Sequence, residues 1–413
     1  MKYTKHTHIY IFLLFFILVF SWTLFSLSKL DMINILGDEY GYWAGASFFA
    51  GLDWSDVTSL NSYYSYGYGM ILAILLKLFT DSQIAYKCAI MINAVFFISS
   101  CVIAYRCACF VLRSSNKALL MIIAIIVTLY PSNIYFSQTT LCENYLTFLW
   151  WGTIYLVLEN LYRPRRWKHL LLLMVSILMY YVHHRTIGIL VFGIIIELFC
   201  LWRNKEKKAS ILFYILVFGM LFLTFRFVDS RMMDSYYTNK ELLSGNTMSG
   251  RVSMLTSLIN IENMIGLMTS ILGQIFYLSV STFGLFLLSI IYLIKVTYSF
   301  TKSLILKKRV SKMAVWHVFL LMAFLLSLGI SSLSFIIPAR LDQLVYGRYL
   351  EYMIGPYLLI ALGHLFVIRD NIQLERKIVP IVIIVLLVSV LISYEYANLR
   401  DYVFVNNIAI SDL

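Results

Sequence analysis

"IFLLFFILVFSWTLFSL", residues 11–27, is followed after a short gap by "NILGDEYGYWAGASFF", residues 34–49. The first stretch is an apolar run long enough to cross the hydrocarbon core of a bilayer as a helix. The second places two adjacent carboxylates, Asp38 and Glu39, just beyond it and follows them with aromatic residues. Together they predict a membrane-embedded helical chain with ionisable groups at the membrane boundary.

The rest of the chain repeats the first pattern. Of its 413 residues, 61% are hydrophobic, and the mean hydropathy is +0.82. Long continuous apolar runs alternate with short polar clusters, without the in/out alternation of a β-barrel. The expected fold class is therefore an all-α polytopic membrane protein, with residues 1–413 forming a single transmembrane domain. The basic N-terminus leads into an apolar run that no small-residue cleavage pattern follows, so we read an uncleaved first helix rather than a signal peptide.

The net charge of +12 lies mainly in short clusters. These are Lys2/Lys5, Arg106 to Lys117, "RPRRWKH" (163–169), "RNKEKK" (203–208), "KSLILKKRVSK" (302–312) and "RDNIQLERK" (369–377). Basic clusters between apolar runs mark the cytoplasmic side. A soluble basic surface interleaved with stacking aromatics is missing, so a nucleic-acid partner is excluded. The six cysteines fall mostly inside apolar runs, with neither CxxC pairs nor metal-ligand spacing, and read as small buried hydrophobes.

Counting apolar runs between the basic clusters predicts spans near 9–29, 84–112, 118–131, 142–162, 170–182, 187–202, 211–227, 266–295, 313–334, 351–368 and 378–394. That is about eleven crossings, with a cytoplasmic N-terminus. The two largest outward segments are then 30–83 and 228–262. "GYGMILAILLKLF" (67–79) is apolar but too short for an ordinary span, which predicts a re-entrant or interfacial helix over a cavity. Tyr42, Trp43, Ala46, Phe49 and Ala50 recur at helical spacing, which predicts a second helix lying in the interface. Asp38 and Glu39 open that helix; they are either functional acids or plain partners of its dipole.

Other outward groups are candidates on the same grounds. In "LYPSNIYFSQTTLCENYLTFLWW" (129–151), Glu143 stands near the start of a span, and an ionisable residue there is functional or a helix-start acid. "YYVHHRTIG" (180–188) makes a very short turn carrying His183, His184 and Arg185. Without an HExxH-like context a metal site is disfavoured; Arg185 suits a phosphate, a carboxylate or a lipid headgroup. "RLDQLVYGRYLEYMIGP" (340–356) brings Arg340, Arg348 and Tyr349 to the start of a late span. A guanidinium there matches a phosphate ester, while an Arg348–Glu351 ion pair is the plainer reading. Gly347 would allow a tight turn or a close approach. The segment 228–262 suits a lid or a passive connector. Tyr64 and Tyr66, in "YYSYGYG" (63–69), suit sugar stacking or an aromatic belt.

Taken in order, these pieces resemble the GT-C superfamily of membrane glycosyltransferases, of the polyprenyl-phosphate-sugar-dependent type that includes protein O-mannosyltransferases and lipid A aminoarabinose transferases. The resemblance is carried by the acidic pair Asp38-Glu39 after helix one and by "YSYGYGMILAILLKLFTDSQIAYKCAIMINAVF" (64–96) as interfacial helix and second span. It is also carried by "LYPSNIYFSQTTLCENYLTFL" before and into a later span, and by "YGRYLEYMIGP" as a late Arg-Tyr element. The chain departs from the family in lacking a C-terminal soluble domain within its 413 residues, and its His-His-Arg turn matches only loosely.

The resemblance implies transfer of a sugar from a polyprenyl-phosphate carrier to a surface glycan or glycolipid acceptor on the outer face of a cell membrane. It implies Asp38 as general base, with Glu39 orienting it or the acceptor. Arg348, with Arg185 or Arg340, would hold the leaving phosphate. Glu143, Tyr349, His183, His184, Tyr64 and Tyr66 are the substrate-binding candidates. The resemblance fixes no cofactor; some relatives use a divalent metal ion, which leaves one open here. A glycan polymerase or ligase of the O-antigen type and a lipid-linked-glycan transporter are the competing functions. The early acidic loop argues against the first. The lack of a two-half repeat argues against the second.

Overall fold

The computed structural model describes residues 6–30, 36–58, 63–204, 208–237, 255–336 and 345–368. Among them the secondary structure is helical, without a strand. The chain packs as two compact units. One comprises Met1–Ile103 and Asn133–Ser253, the other Ala104–Ser132 and Met254–Leu413.

The first unit begins with α1 (Thr7–Leu27), a 21-residue helix about 31 Å long. It buries Phe15 against Phe97, while Leu13, Leu14, Ile17 and Leu18 are exposed. Next come α2 (Leu36–Ala50), α3 (Ser55–Thr58) and α4 (Gly69–Leu78), then the long α5 (Ser82–Leu112). α4 has only ten residues, about half a bilayer, and it packs on α2. The short and interfacial helices expected in the first loop are therefore both present as helices. The contact between them is close because Gly69 faces α2: a Cβ there would sit 3.0 Å from the Ala46 nitrogen.

The chain continues through α6 (Lys117–Thr128), α7 (Pro131–Phe136), α8 (Glu143–Tyr162) and α9 (Arg166–Val182). A single 3-10 turn, His184–Thr186, then leads to α10 (Ile187–Arg203) and α11 (Lys208–Tyr236). α8, α9 and α10 pack side by side in the first unit, and α11 joins α9. At their basic end a buried network ties three helices together: His169 Nδ1 lies 2.5 Å from Glu197 Oε1, and Asn160 donates to Glu197 Oε2 at 3.2 Å. α11 runs to Tyr236, past the expected end of the span at 227, so the start of the segment 228–262 is helical. Residues 238–254 of that segment, and the expected span at 378–394, lie outside the described residues.

The second unit is built on α6, α12 (Ile261–Val280), α13 (Leu285–Ile305), α14 (Lys312–Leu333), α15 (Arg348–Glu351) and α16 (Ile354–Gly363). Its core holds Phe286, Phe324 and Tyr357, with ring centroids 5.1–5.7 Å apart; the Tyr357 hydroxyl donates to the Leu320 carbonyl at 2.8 Å. Side-chain caps start its helices: Asn116 accepts from the Leu119 N–H, and Ser311 from the Ala314 N–H.

Two expected spans need correction. At 118–131 the helix, α6, has only 12 residues, short of an ordinary crossing. The single span at 266–295 is two helices, α12 and α13, parted at "STFG" (281–284). Phe283 (φ 49°) and Gly284 (φ 79°) both occupy the left-handed region, which ends a helix. Thr282 stabilises the break on both sides. Its hydroxyl donates to the Leu278 carbonyl at 2.7 Å and accepts from the Phe286 N–H at 3.1 Å. Hydropathy is continuous across this point, so periodicity alone does not reveal it.

Among the described residues, seven helices are long and apolar enough to cross a membrane: α1, α5, α10 with its preceding turn, α11, α12, α13 and α14. Their exposed faces carry Leu, Ile, Phe and Met, including Leu212, Phe213, Leu216, Met220 and Leu223 along α11. Such apolar surface is at home in lipid and not in water. The chain is an all-α membrane protein.

Replacing Gly284 with alanine should destabilise the protein by about 1–2 kcal/mol, because a Cβ is unfavourable at this positive φ. Gly152→Ala should be neutral or stabilising, since open space surrounds a Cβ there. Thermal unfolding of the purified protein, read by tryptophan fluorescence, checks both.

Candidate functional site

Asp38 and Glu39 sit in the first turn of α2, where carboxylates favour the dipole. Neighbours on a helix point about 100° apart, and the two acids meet different surroundings. Glu39 is fully buried. It accepts from the Tyr86 hydroxyl (3.0 Å), from the Thr140 N–H (2.7 Å) and from the Thr140 hydroxyl. Asp38 is half-buried and accepts from the Tyr64 hydroxyl at 2.6 Å. The Tyr64 ring reaches it by lying over Gly41, where any Cβ would collide with that ring.

The rest of α2 fastens to the same segment that holds Glu39. Trp43 Nε1 donates to the Thr140 hydroxyl at 3.0 Å, and the Tyr42 hydroxyl lies 2.8 Å from Cys142 Sγ. Asn93, on α5, braces the far side: its Nδ2 donates to the carbonyls of Thr139 (2.6 Å) and Leu141 (3.2 Å), and its Oδ1 accepts from Tyr68 (3.0 Å). α2, α4, α5 and the 139–142 segment thus form one hydrogen-bonded frame. Burial pushes the Tyr42 and Tyr68 phenols well above their ordinary range, so both remain protonated.

Glu143 follows directly and is buried. Arg185 Nη2 donates to its Oε1 at 3.2 Å, with both side chains almost without solvent. Two residues singled out separately in the sequence are therefore partners. His183 caps the short turn by accepting the Arg185 N–H on Nδ1 (3.3 Å). His184 points elsewhere: its ring stacks on Tyr180 at 4.7 Å, and its Nε2 lies 3.9 Å from Asp229 Oδ1.

Asp229 anchors a second cluster. Tyr63 donates to it, and Arg226 Nη1 donates at 2.9 Å. Burial first, and then the Asp229 charge, raise the Tyr63 phenol. Tyr66 donates to the Phe225 carbonyl at 2.8 Å within an aromatic core of Tyr180, Tyr181, Tyr236 and Tyr237. The Gly67 N–H donates to the Tyr181 carbonyl at 2.6 Å, and a Cβ at Gly67 would collide with that backbone.

Asp38, Glu39, Tyr64, Tyr66, Glu143, His183, His184 and Arg185 all fall in the first unit. Arg348 and Tyr349 fall in the second. Arg348 opens α15 and is buried; Tyr349 packs its ring on Phe335 and Tyr346. Gly347 has an ordinary φ of −94°. It admits a close approach, but of the Tyr277 ring, which any Cβ would strike. Tyr277 in turn donates to Glu351. Arg340 lies outside the described residues.

Thr140, Tyr86, Asn93, Arg226 and Asp229 belong to these clusters and were not singled out by sequence. Asn93 alone carried a signal, a polar residue in the middle of an apolar run. Among the described residues no group of three or more His, Cys, Asp or Glu side chains is placed to hold a metal ion. No family model, curated protein or solved structure matches the chain.

Glu39→Ala should leave the Thr140 N–H without its acceptor and destabilise the protein by about 2–3 kcal/mol, whereas Glu39→Gln, which keeps one acceptor oxygen, should cost less. Arg185→Ala should cost about 3–5 kcal/mol by stranding the buried Glu143. Chemical or thermal unfolding of the three variants measures these differences.

Proposed function

We propose that this protein is a membrane glycosyltransferase of the GT-C type that uses a polyprenyl-phosphate-linked sugar and acts on a surface glycan or glycolipid. The observation that carries the reading is the division of labour in the acidic pair. Glu39 is fully buried and meets three donors, whereas Asp38 is half-buried and accepts from the Tyr64 hydroxyl. A carboxylate with that balance of access and orientation suits a general base. In the proposed step the acceptor hydroxyl attacks the anomeric carbon and gives its proton to Asp38. The bond from that carbon to the carrier phosphate breaks, and the polyprenyl phosphate departs with the electron pair. Configuration at the sugar inverts.

Arg348 is assigned to the departing phosphate because a guanidinium can meet two phosphate oxygens at once. The Arg185 guanidinium is already directed by Glu143, which fits it for positioning. Eleven crossings, a cytoplasmic N-terminus and an outward-facing Asp38 remain part of this proposal. Each of α12 and α13 is long enough to cross alone, so that count requires that only one of the two crosses, which keeps the basic connection after α13 on the same side as the other basic clusters.

Asp38→Asn should lower single-sugar transfer from a defined lipid-phosphate donor by about 10²–10⁴-fold while leaving expression and unfolding unchanged. Tyr64→Phe should lower it less. Full activity of Asp38→Asn removes the base assignment; transfer only of preformed repeat units identifies a polymerase or ligase instead. Arg348→Ala should raise KM for the carrier, and an unchanged KM returns Arg348 to a structural role.

A further inference from the structure

Away from the acidic pair, the second unit contains a cavity of about 500 Å³ beside the basic connection that follows α13. α13 contributes Tyr292, Lys295 and Ser299, the connection contributes Arg309, and Ser311 caps α14 at its edge. His364 lies against the Tyr292 ring, centroids 4.1 Å apart. Lys295 and Arg309 are exposed. The ion pairs found among the described residues involve neither of them.

Two cations, serine hydroxyls and an imidazole around one space make a surface for an anion with several acceptor oxygens. The first turn of the 22-residue α14 adds the positive end of a helix dipole at the same place. The surroundings are apolar. Ile294 and Tyr298, on the exposed side of α13 next to the cavity, are 54% and 70% exposed. A molecule that placed a phosphate among the cations could lay a hydrocarbon chain along them. The volume suits a headgroup with its glycerol.

We propose that this cavity binds a phosphate-bearing anion and that its occupant is the headgroup of an anionic membrane phospholipid. The anionic lipids of the basic-loop side of a membrane supply this chemistry. The site is separate from the proposed glycosyl transfer and does not depend on it. The competing view is a diffuse basic belt in which every Lys and Arg of the connection attracts lipid equally. Lys302, in the last turn of α13, and Lys308, in the connection, lie nearby but do not line the cavity, so they separate the two.

The test is native mass spectrometry of the full-length purified protein given equal amounts of phosphatidylglycerol and phosphatidylethanolamine. The wild-type protein should retain phosphatidylglycerol preferentially. Lys295→Ala/Arg309→Ala should reduce that retention at least about tenfold, and Arg309→Gln, a surface change that preserves folding, should reduce it in part. Lys302→Ala/Lys308→Ala should leave it unchanged. Equal retention in wild type and in both cavity variants overturns the proposal, as does equal loss in the Lys302/Lys308 control. Soluble glycerophosphoglycerol that binds as tightly as the lipid, and competes with it, supports the phosphate site but overturns the lipid as its occupant.

Discussion

The burial of one carboxyl group, Glu39, sets how α2 sits in the first unit. A carboxyl group removed from water is costly unless each lone pair meets a donor. At Glu39 three donors converge on Oε2, two from Thr140 and one from Tyr86. That requirement fixes the rotation of α2 about its axis and holds the 139–142 segment against it. Asp38, one residue earlier, is thereby turned toward Tyr64 and partial solvent. The difference between two adjacent acids follows from helix geometry once one of them is pinned.

The same frame explains the short α4. A ten-residue apolar helix does not cross a bilayer, so it must be covered by protein. Gly69 lets it lie almost backbone to backbone on α2. Gly67 lets the preceding loop lie on the carbonyl of Tyr181. The loop is thus sutured to α2 on one side and to the end of α9 on the other. Asp229 closes the cluster from α11 through Tyr63 and Arg226.

Much of this architecture was legible in the sequence, because the strongest signals are local. Apolar run length marked the long helices and identified 67–79 as too short to span. Helical spacing from Tyr42 to Ala50 marked α2. What depended on distant partners was not legible. Nothing near Glu39 announces that Thr140, a hundred residues away, will bury it. Glu143 and Arg185 each stood out, yet their pairing requires α8 and the short turn to meet. α11 continues past 227 because Met232 and Tyr236 are buried in the aromatic cluster, although the local sequence turns polar. The break at 281–284 was hidden by hydropathy, with only the Ser-Thr-Phe-Gly run hinting at it.

That break also shapes the field inside the second unit. A continuous helix keeps its partial charges at its two ends, where water or headgroups screen them. Parting α12 from α13 sets a carbonyl-rich, negative terminus beside an amide-rich, positive one in the interior of an apolar stretch, each equivalent to roughly half an elementary charge. The hydroxyls of Ser279, Ser281 and Thr282, all buried there, are the groups that can turn to screen them. The unit therefore carries a polar junction along its apolar length, joined to α6's end through the Tyr130 hydroxyl, which donates to Ser281 at 2.8 Å.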